Sequence, residues 1–332
     1  MATARSFACP QQSSMKMCLV IGGAGFIGGH VARLLCESGR EVVVLGRRER
    51  AECVLSPGCR YVCGDYSDRA MLRRILQPGC EVIDLAYSTV PKTSYEDPVF
   101  DLLSNLPASV GLFQEAVVAG ASRVVVVSSG GTVYGPADRL PIREDHPTGP
   151  ISPYGITKLT TDLYAMMFHS TVGLPVVVVR PANAYGEGQR AGRGQGFIAT
   201  AISAVLAGRE MEIYGPEGTV RDYIHVSDVA AGIVAALDRG GIGEIYNLGT
   251  GVGTSNAGII RMLEGLAGQK GIPVLTKVLP PRNFDVAANV LDSAKLASTT
   301  GWKPVLSLGD GLSRSWEDAL ARKTMKPRVR NL

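Results

Sequence analysis

Tyr154 and Lys158 are the residues whose types and spacing point most directly to chemistry. They lie four positions apart in the segment SPYGITK at 152–158, and residues four apart share one face of a helix. An ammonium group beside a phenol favours the phenolate, which lowers the pKa of the phenol from about 10 toward the working pH. A tyrosine adjusted in this way is a usable general acid or base. Tyr-x-x-x-Lys also arises often by chance, so its meaning depends on the motifs around it.

A glycine-rich turn at 22–28 (GGAGFIG) predicts a dinucleotide-binding site, because it follows an apolar strand-like run and opens a helix. Gly22, Gly25 and Gly28 permit a tight turn and let backbone N–H groups approach a pyrophosphate. The predicted helix begins at Phe26, followed by Ile27, and its dipole and free backbone N–H donors at this end also favour the pyrophosphate. The spacing G-x-x-G-x-x-G resembles the short-chain dehydrogenase/reductase version of the Rossmann fold.

The choice between NAD and NADP is open. An acidic residue at the end of the second strand normally accepts hydrogen bonds from the adenosine ribose of NAD. Gly46 occupies that position here and is followed by Arg47 and Arg48. These arginines either meet a 2′-phosphate, which favours NADP, or lie solvated on the surface. Asp65, after the third strand, is placed to reach the adenine amino group, or else only forms a turn.

Four further segments extend the pattern over nearly the whole chain. They lie at 128–135 (SSGGTVYG), 180–183 (RPAN), 221–226 (RDYIHV) and 246–251 (YNLGTG). Together with the glycine turn and the Tyr154/Lys158 pair, they make the chain resemble the extended short-chain dehydrogenases, and among them the UDP-glucose/UDP-galactose 4-epimerase family. The combination is specific for nucleotide-sugar chemistry.

The resemblance implies positions for both ligands. Tyr66 and Ala86 would line the cofactor site, and Lys158 would hold the nicotinamide ribose. Asn183 would contact the nucleotide end of the substrate, and the planar guanidinium groups of Arg221 and Arg282 would clamp its diphosphate.

Asn289 corresponds to a family residue beside the C2 substituent of the sugar. A small side chain there leaves room for an N-acetyl group, which predicts that UDP-GlcNAc and UDP-GalNAc are accepted. The alternative is that Asn289 only satisfies nearby backbone.

The segment at 128–135 departs from the family in one respect. The family's catalytic Ser or Thr lies four residues before the tyrosine of V-Y-G, and this position is Gly130. Ser129 and Thr132 flank it, so either hydroxyl, or a water molecule, is expected to replace the missing group. The related 4,6-dehydratases carry an Asp-Glu pair here, whereas Gly131 and Thr132 supply no carboxyl group.

The resemblance therefore implies an NAD(P)-dependent nucleotide-sugar 4-epimerase. Tyr154 would take the C4 hydroxyl proton while hydride passes to the nicotinamide, and a transient 4-keto sugar would turn over before the hydride returns. The main alternative is an NADPH-dependent reductase of a 4-keto nucleotide sugar, which Gly46, Arg47 and Arg48 favour. A catalytically silent dinucleotide-binding regulator is disfavoured by the intact Tyr154 and Lys158.

Alternating strand and helix patterns must position these residues. The predicted strands are 17–21, 41–45, 60–63, 81–85, 123–128, 176–180 and 244–248, and the predicted helices are 26–37, 69–76, 102–118, 154–170 and 229–237. Runs such as VVVV at 124–127 and 176–179 are apolar on both faces, as in a parallel sheet covered by helices on each side. The pattern predicts an α/β fold with a doubly wound parallel Rossmann sheet.

We divide the chain into four parts. A loose extension at 1–16 precedes the Rossmann core at 17–186, to which 226–252 return. Segments 187–225 and 253–321 form a smaller, discontinuous C-terminal substrate lobe, and 322–332 form a basic tail.

Composition excludes several classes of protein. Charged residues make up 19% of the chain, which excludes a disordered polyelectrolyte, and its net charge of +4 is scattered without the basic stripe of a nucleic-acid groove. No uninterrupted apolar run suggests a membrane span, and 1–16 lack the apolar region of a secretory signal. The seven cysteines form no zinc set, so we expect no metal and a reduced, cytoplasmic protein. The resemblance suggests a homodimer built through the helices near 102–118 and 154–170.

Overall fold

The computed structural model describes residues 16–51, 53–192, 196–282 and 286–325. The strands within these ranges are β1 (Met17–Ile21), β2 (Glu41–Gly46), β3 (Cys59–Cys63), β4 (Glu81–Asp84), β5 (Arg123–Val127), β6 (Val176–Pro181), β7 (Asn183–Tyr185), β8 (Met211–Tyr214), β9 (Val220–His225), β10 (Glu244–Leu248), β11 (Gly253–Ser255), β12 (Thr276–Leu279) and β13 (Ala288–Asn289). The helices are α1 (Phe26–Glu37), α2 (Arg69–Ile75), α3 (Pro91–Glu96), α4 (Pro98–Ala119), α5 (Pro153–Val172), α6 (Phe197–Leu206), α7 (Val226–Arg239), α8 (Asn256–Gly268), α9 (Ala294–Thr300) and α10 (Leu308–Met325). The predicted N-terminal extension, apart from Lys16, lies outside the described residues.

Seven parallel strands form the central sheet, in the order β10-β6-β5-β4-β1-β2-β3. They are the seven strands predicted from the sequence, with β1 and β10 matching residue for residue and each of the others differing by one residue at one end. The chain runs outward from β1 to β3, then returns to the other side of β1 and runs outward from β4 to β10. This is the predicted doubly wound order, and it opens a crevice at the carboxyl ends of β1 and β4, where the direction reverses.

Helices cover both faces of the sheet. Val125 and Val177 pack in the apolar layer that α1, α7 and α9 share with the sheet, whereas their neighbours Val124 and Val176 pack in the layer under α2, α4 and α5. Because successive side chains of a strand point to opposite faces, a sheet covered on both faces needs apolar residues at every position. This explains the VVVV runs.

A smaller lobe lies beside the sheet. The helices α6, α8 and α10 pack together around an apolar core of their own, next to the parallel pair β8 and β12. A small sheet joins β11, β13 and β7 to β9. The lobe is more interleaved with the Rossmann core than predicted, because Leu291, Leu296 and Trp302, which we assigned to it, are buried in the core layer of α1 and α7.

The predicted tail at 322–332 begins too early. Helix α10 continues to Met325, and Arg322 in its last turn pairs with Asp318 at 2.7 Å. An ion pair between residues four apart supports the helix beyond the predicted boundary. Residues 326–332 lie outside the described part of the chain.

Helix α4 is the one described helix long and apolar enough to cross a membrane, with a mean hydropathy of 1.2 over its most apolar window. It packs against α2 and α5, and it buries Asp101, Asn105 and Glu115. Asp101 accepts a hydrogen bond from Thr157, and Glu115 pairs with Arg69 and Arg73. These are the contacts of a helix that packs against the rest of its own domain.

Candidate active site

A cleft of about 800 Å³ opens at the carboxyl edge of the central sheet. Parallel strands bring the loops that follow them to one edge, so segments distant in sequence meet here. The predicted site residues that line the cleft are Gly22, Gly25, Phe26, Ile27, Gly28, Arg47, Arg48, Tyr66, Ala86, Tyr154 and Lys158. The glycine turn and the Tyr154/Lys158 pair thus share one crevice.

The glycine turn has no room for a side chain at Gly22 or Gly28. Gly22 has a φ of +75°, and a Cβ on Gly28 would overlap the Gly22 carbonyl oxygen. Helix α1 follows directly, and its N-cap Gly25 has no side chain to satisfy the first backbone N–H groups. These N–H groups, at the positive end of the helix dipole, fit the diphosphate of a dinucleotide.

The adenosine end of the cleft carries arginines and no carboxylate at the end of β2. Arg47 and Arg48 are exposed where they line the cleft. A Cβ on Gly46 would lie 2.8 Å from the Tyr61 hydroxyl oxygen, and this hydroxyl donates to the Arg48 carbonyl at 2.6 Å. Tyr61 thus fills part of the space that an acidic side chain at position 46 would need.

Asp65 does not line the cleft. Its Oδ1 accepts a hydrogen bond from the backbone N–H of Ser67 at 2.9 Å, and the residue is exposed. The turn-forming alternative therefore describes Asp65 better than the predicted contact with adenine. Its neighbour Tyr66 is buried and borders the cleft.

Tyr154 and Lys158 lie in the first two turns of α5. Ser152 caps this helix by accepting a hydrogen bond from the Gly155 N–H at 3.1 Å, which fixes where the helix begins. Both functional side chains are buried, and the ammonium of Lys158 donates to the Val127 carbonyl at 3.0 Å.

Burial controls the ionisation of this pair. It raises the pKa of Tyr154 above its usual value, and the Ser129 side chain only partly opposes this effect. It also lowers the pKa of Lys158, against the attraction of Asp84, Asp162 and Asp101. The expected lowering of the Tyr154 pKa is therefore wrong for the protein alone, because desolvation of the phenolate and the negative charge of Asp101 both raise it.

Of the two flanking hydroxyl residues, Ser129 is the one whose side chain acts to lower the pKa of Tyr154. A Cβ on Gly130 would overlap Leu291 Cδ1 and lie 2.9 Å from the Arg180 carbonyl oxygen, so position 130 faces the core. Thr132 Oγ1 is buried without a hydrogen-bond partner in the described ranges. Glycine at position 130 thus removes no hydroxyl from the cleft.

Several residues of the recognised segments form a buried support behind this loop. Arg180 Nε donates to Asp162 at 3.0 Å, and Arg180 Nη1 donates to the Tyr134 hydroxyl at 3.0 Å. Tyr134 in turn donates to Asn247 Oδ1 at 2.8 Å. The network ties β6, β10 and α5 together beneath the loop that carries Ser129.

The predicted substrate residues lie outside the cleft. Asn183 is close to the Ser129 loop, since a Cβ on Gly131 would be 3.3 Å from its Oδ1. Arg221 and Arg282 both lie in the small lobe. Arg221 donates to the Val220 carbonyl at 2.8 Å, and Arg282 stacks on Tyr214 with its Cζ 3.3 Å from the ring centroid.

Asn289 has a backbone partner instead of an open face. It is 1% exposed, and its side-chain nitrogen donates to the Gly130 carbonyl at 3.1 Å. This is the alternative that the sequence left open, and the burial of Asn289 argues against the predicted contact with an N-acetyl group. Residues 283–285, which join Asn289 to Arg282, lie outside the described part of the chain.

Sequence reasoning missed the loop after β4. Tyr87, Ser88, Thr89 and Val90 line the cleft beside Tyr154 and Lys158. The signal was available, because this loop leaves the same edge of the sheet as the glycine turn.

Comparison with known proteins places this geometry in a family. The model of the NAD dependent epimerase/dehydratase family matches residues 18–249. The UDP-glucose 4-epimerase of Mycolicibacterium smegmatis is 35% identical over 90% of this chain and 97% of its own length. The dTDP-glucose 4,6-dehydratase of an Actinoplanes species is 30% identical over 90% of this chain and 95% of its own.

Solved structures agree. The UDP-glucose 4-epimerase of Thermotoga maritima, with UDP-glucose, has a TM-score of 0.85 and 34% identity over 93% of this chain and 100% of its own. That of Thermus thermophilus, in complex with NAD, has a TM-score of 0.82 and 31% identity over 91% of this chain and 98% of its own. The glycine turn, the Tyr154/Lys158 pair and these matches over nine-tenths of the chain lead to one conclusion: the chain belongs to the NAD dependent epimerase/dehydratase family.

Proposed function

We propose that the protein is a nucleotide-sugar 4-epimerase that interconverts UDP-hexoses through a transient 4-keto sugar. The observation that carries the proposal is the single cleft in which Tyr154 and Lys158 lie together with the glycine turn. Bound NAD or NADP would supply a reversible hydride acceptor for the C4 carbon.

The residues of the chain then handle the proton. Tyr154 would take the C4 hydroxyl proton as hydride leaves, and return it when hydride comes back to the other face. Ser129, whose side chain acts to lower the pKa of Tyr154, would orient the C4 oxygen and share the proton. Since burial raises the pKa of Tyr154, formation of the phenolate would need further stabilisation in the loaded site, where the Lys158 ammonium and the cationic nicotinamide ring of an oxidised cofactor would favour it.

Loss of water from the sugar is not favoured. The segment 128–134 (SSGGTVY) has no carboxylate, whereas removal of water across C5–C6 needs an acid and a base there. This supports epimerisation over the 4,6-dehydratase reaction of other family members.

The alternative is a reductase that uses NADPH to reduce a 4-keto nucleotide sugar. Gly46, Arg47 and Arg48 at the adenosine end of the cleft favour it, because they suit a 2′-phosphate better than a free ribose hydroxyl. An epimerase regains its cofactor in each cycle, whereas a reductase consumes it.

The test is incubation with UDP-Glc, UDP-GlcNAc and UDP-GlcA, followed by separation of the epimers. We expect UDP-Glc and UDP-Gal to interconvert without net change in NAD(P)H absorbance. Oxidation of NADPH in proportion to product from a 4-keto sugar, without epimer formation, would establish the reductase instead. The same assay decides whether N-acetylated sugars are accepted.

A further inference from the structure

Tyr87 lies between the two functional side chains of α5. It is the third residue after β4 and lines the cleft. Its ring meets the Tyr154 ring edge to face, with centroids 4.7 Å apart and planes at 67°. The Lys158 ammonium nitrogen lies 4.2 Å from the centroid of the same Tyr87 ring. One aromatic ring therefore contacts both members of the pair.

The ammonium of Lys158 needs this contact. It has three N–H donors, and in the described ranges its hydrogen-bond acceptor is the Val127 carbonyl. Lys158 is 7% exposed, so water replaces little of the lost hydration. A cation over the face of a tyrosine ring is stabilised most where it is desolvated. The ring thus favours the charged form of Lys158.

The loop that carries Tyr87 is held to α5 and α4 by buried hydrogen bonds. The Ser88 N–H donates to Asn105 Oδ1 at 2.7 Å, and the Thr89 hydroxyl donates to Asp101. Asp101 is fully buried and accepts a second bond, from Thr157 on α5, at 2.7 Å. The ring of Tyr87 is therefore fixed relative to the turn of α5 that presents Tyr154 and Lys158.

We propose that Tyr87 is a positioning residue, whose ring fixes the Lys158 ammonium and the Tyr154 ring relative to one another through a cation–π contact and an edge-to-face contact. Its importance for catalysis rests on the proposed function, whereas its effect on Lys158 does not.

The surroundings decide the direction of the pH effect. The other groups that face Lys158 are the carboxylates Asp84 on β4, Asp101 on α4 and Asp162 on α5, and Asp162 is paired with Arg180. These charged groups remain when the Tyr87 ring is removed, so a change in the pKa of Lys158 can be attributed to the loss of the ring. Loss of the ring lowers the pKa of Lys158, and a weaker positive charge beside Tyr154 raises the pKa of its phenol. The active form, phenolate with ammonium, then exists over a narrower pH range.

The kinetic test compares Tyr87→Phe, Tyr87→Leu and Tyr87→Met. Phe keeps the ring, so we expect the wild-type profile of kcat against pH. Leu and Met remove the ring, and we expect the acidic limb of the profile to move to higher pH and the basic limb to lower pH. We expect kcat at neutral pH to be about tenfold lower and KM to be nearly unchanged. Tyr164→Leu, at an exposed tyrosine of α5 that does not line the cleft, is the matched control. Superimposable profiles for wild type and Tyr87→Leu would overturn the proposal.

A spectroscopic test separates this proposal from the proposed function. In protein labelled with 13C-lysine, the Lys158 side-chain signal is assigned with Lys158→Met and titrated with pH. The ring over the ammonium shifts this signal upfield, and we expect Tyr87→Phe to keep both the shift and the Lys158 pKa. Tyr87→Leu and Tyr87→Met should lose the shift and lower the pKa. An unchanged signal in the folded Leu and Met variants would contradict the positioning role, even if epimerase activity were absent for another reason.

Discussion

The Tyr154 phenol lies in surroundings that disfavour its charged form. It is 8% exposed, burial raises its pKa, and the negative charge of Asp101 raises it further. A general base whose pKa lies above working pH acts only when the loaded site lowers it. Within this chain, the Ser129 side chain acts in that direction.

Tyr154→Phe removes the ionisable oxygen and keeps the ring contact with Tyr87. We expect the fold and nucleotide binding to survive, and turnover to fall by about 10²–10⁴, the usual cost of losing a positioned acid or base. The measurement is the rate of UDP-Glc and UDP-Gal interconversion, with circular dichroism as the folding control. Near-wild-type turnover would exclude Tyr154 as the base.

Ser129→Ala and Thr132→Ala form a matched pair, because each removes one hydroxyl from the same loop. The Ser129 side chain acts to lower the pKa of Tyr154, whereas Thr132 Oγ1 is buried without a hydrogen-bond partner in the described part of the chain. We therefore expect Ser129→Ala to lower kcat more than it raises KM, the pattern of an interaction made mainly in the transition state. Thr132→Ala should keep kcat. The reverse ranking would assign the hydroxyl to Thr132.

Gly130→Ser tests why the family hydroxyl is absent. A side chain at position 130 would collide with Leu291 and the Arg180 carbonyl. We expect lower thermal stability and no gain in kcat, because overpacking a core typically costs about 1–3 kcal/mol. A stable variant with higher kcat would show that position 130 faces the substrate after all.

The strands and helices that carry the site differ in how clearly they can be predicted from the sequence. The inner strands of the central sheet were predictable because they are short apolar runs buried on both faces, whereas the edge strand β3 has no buried residue. The short strands β7, β11 and β13 have two or three residues, and their existence depends on pairing with β9. Helix α3 was missed because its six residues are too few to show a helical pattern in the sequence.

The candidate site divides in a similar way. Motifs announced the glycine turn, Tyr154 and Lys158, because their chemistry needs fixed residue types at fixed spacing. Tyr87 and Asp101 were missed because their importance comes from contacts across 67 and 56 positions of sequence. Asn289 was assigned to the sugar because an alignment does not reveal that its amide is bonded to Gly130.

We propose that the loop after β2 decides the preference between NAD and NADP. We expect Arg47→Ala to weaken NADP binding about tenfold and to leave NAD binding nearly unchanged, because a guanidinium on a phosphate makes charge-assisted hydrogen bonds. Arg74→Ala, at an exposed arginine of α2, is the control. Dissociation constants for both cofactors measure the effect. An unchanged ratio would show that Arg47 is only solvated.

Gly46→Asp is expected to shift the preference toward NAD by supplying the missing carboxylate. The new side chain must displace the Tyr61 hydroxyl, so the variant should work best together with Tyr61→Phe. The same two dissociation constants are measured. A double variant that still prefers NADP would exclude this position as the determinant.

The whole molecule leaves an apolar surface on two adjacent helices. Helices α4 and α5 pack against each other. Leu103 on α4 and Ile156 and Leu163 on α5 are 63%, 53% and 62% exposed, and Phe100 and Met167 add to the same two helices. Exposed apolar side chains grouped in this way are typical of a subunit interface. We propose that this surface joins two copies of the chain, as the resemblance suggested.

Charges placed on this surface should separate the copies. We expect wild type to be a dimer at micromolar concentration, and Leu103→Glu combined with Ile156→Glu to be a monomer, because each carboxylate would have to be desolvated in the interface. Sedimentation velocity measures the mass, and Val305→Glu, at an exposed valine outside α4 and α5, is the control. Tyr154 and Lys158 lie on the same helix as Ile156. We therefore expect the monomer to have a lower kcat, because α5 loses the support of the interface. A monomeric wild type, or a dimer that survives both charges, would place the contact between copies elsewhere.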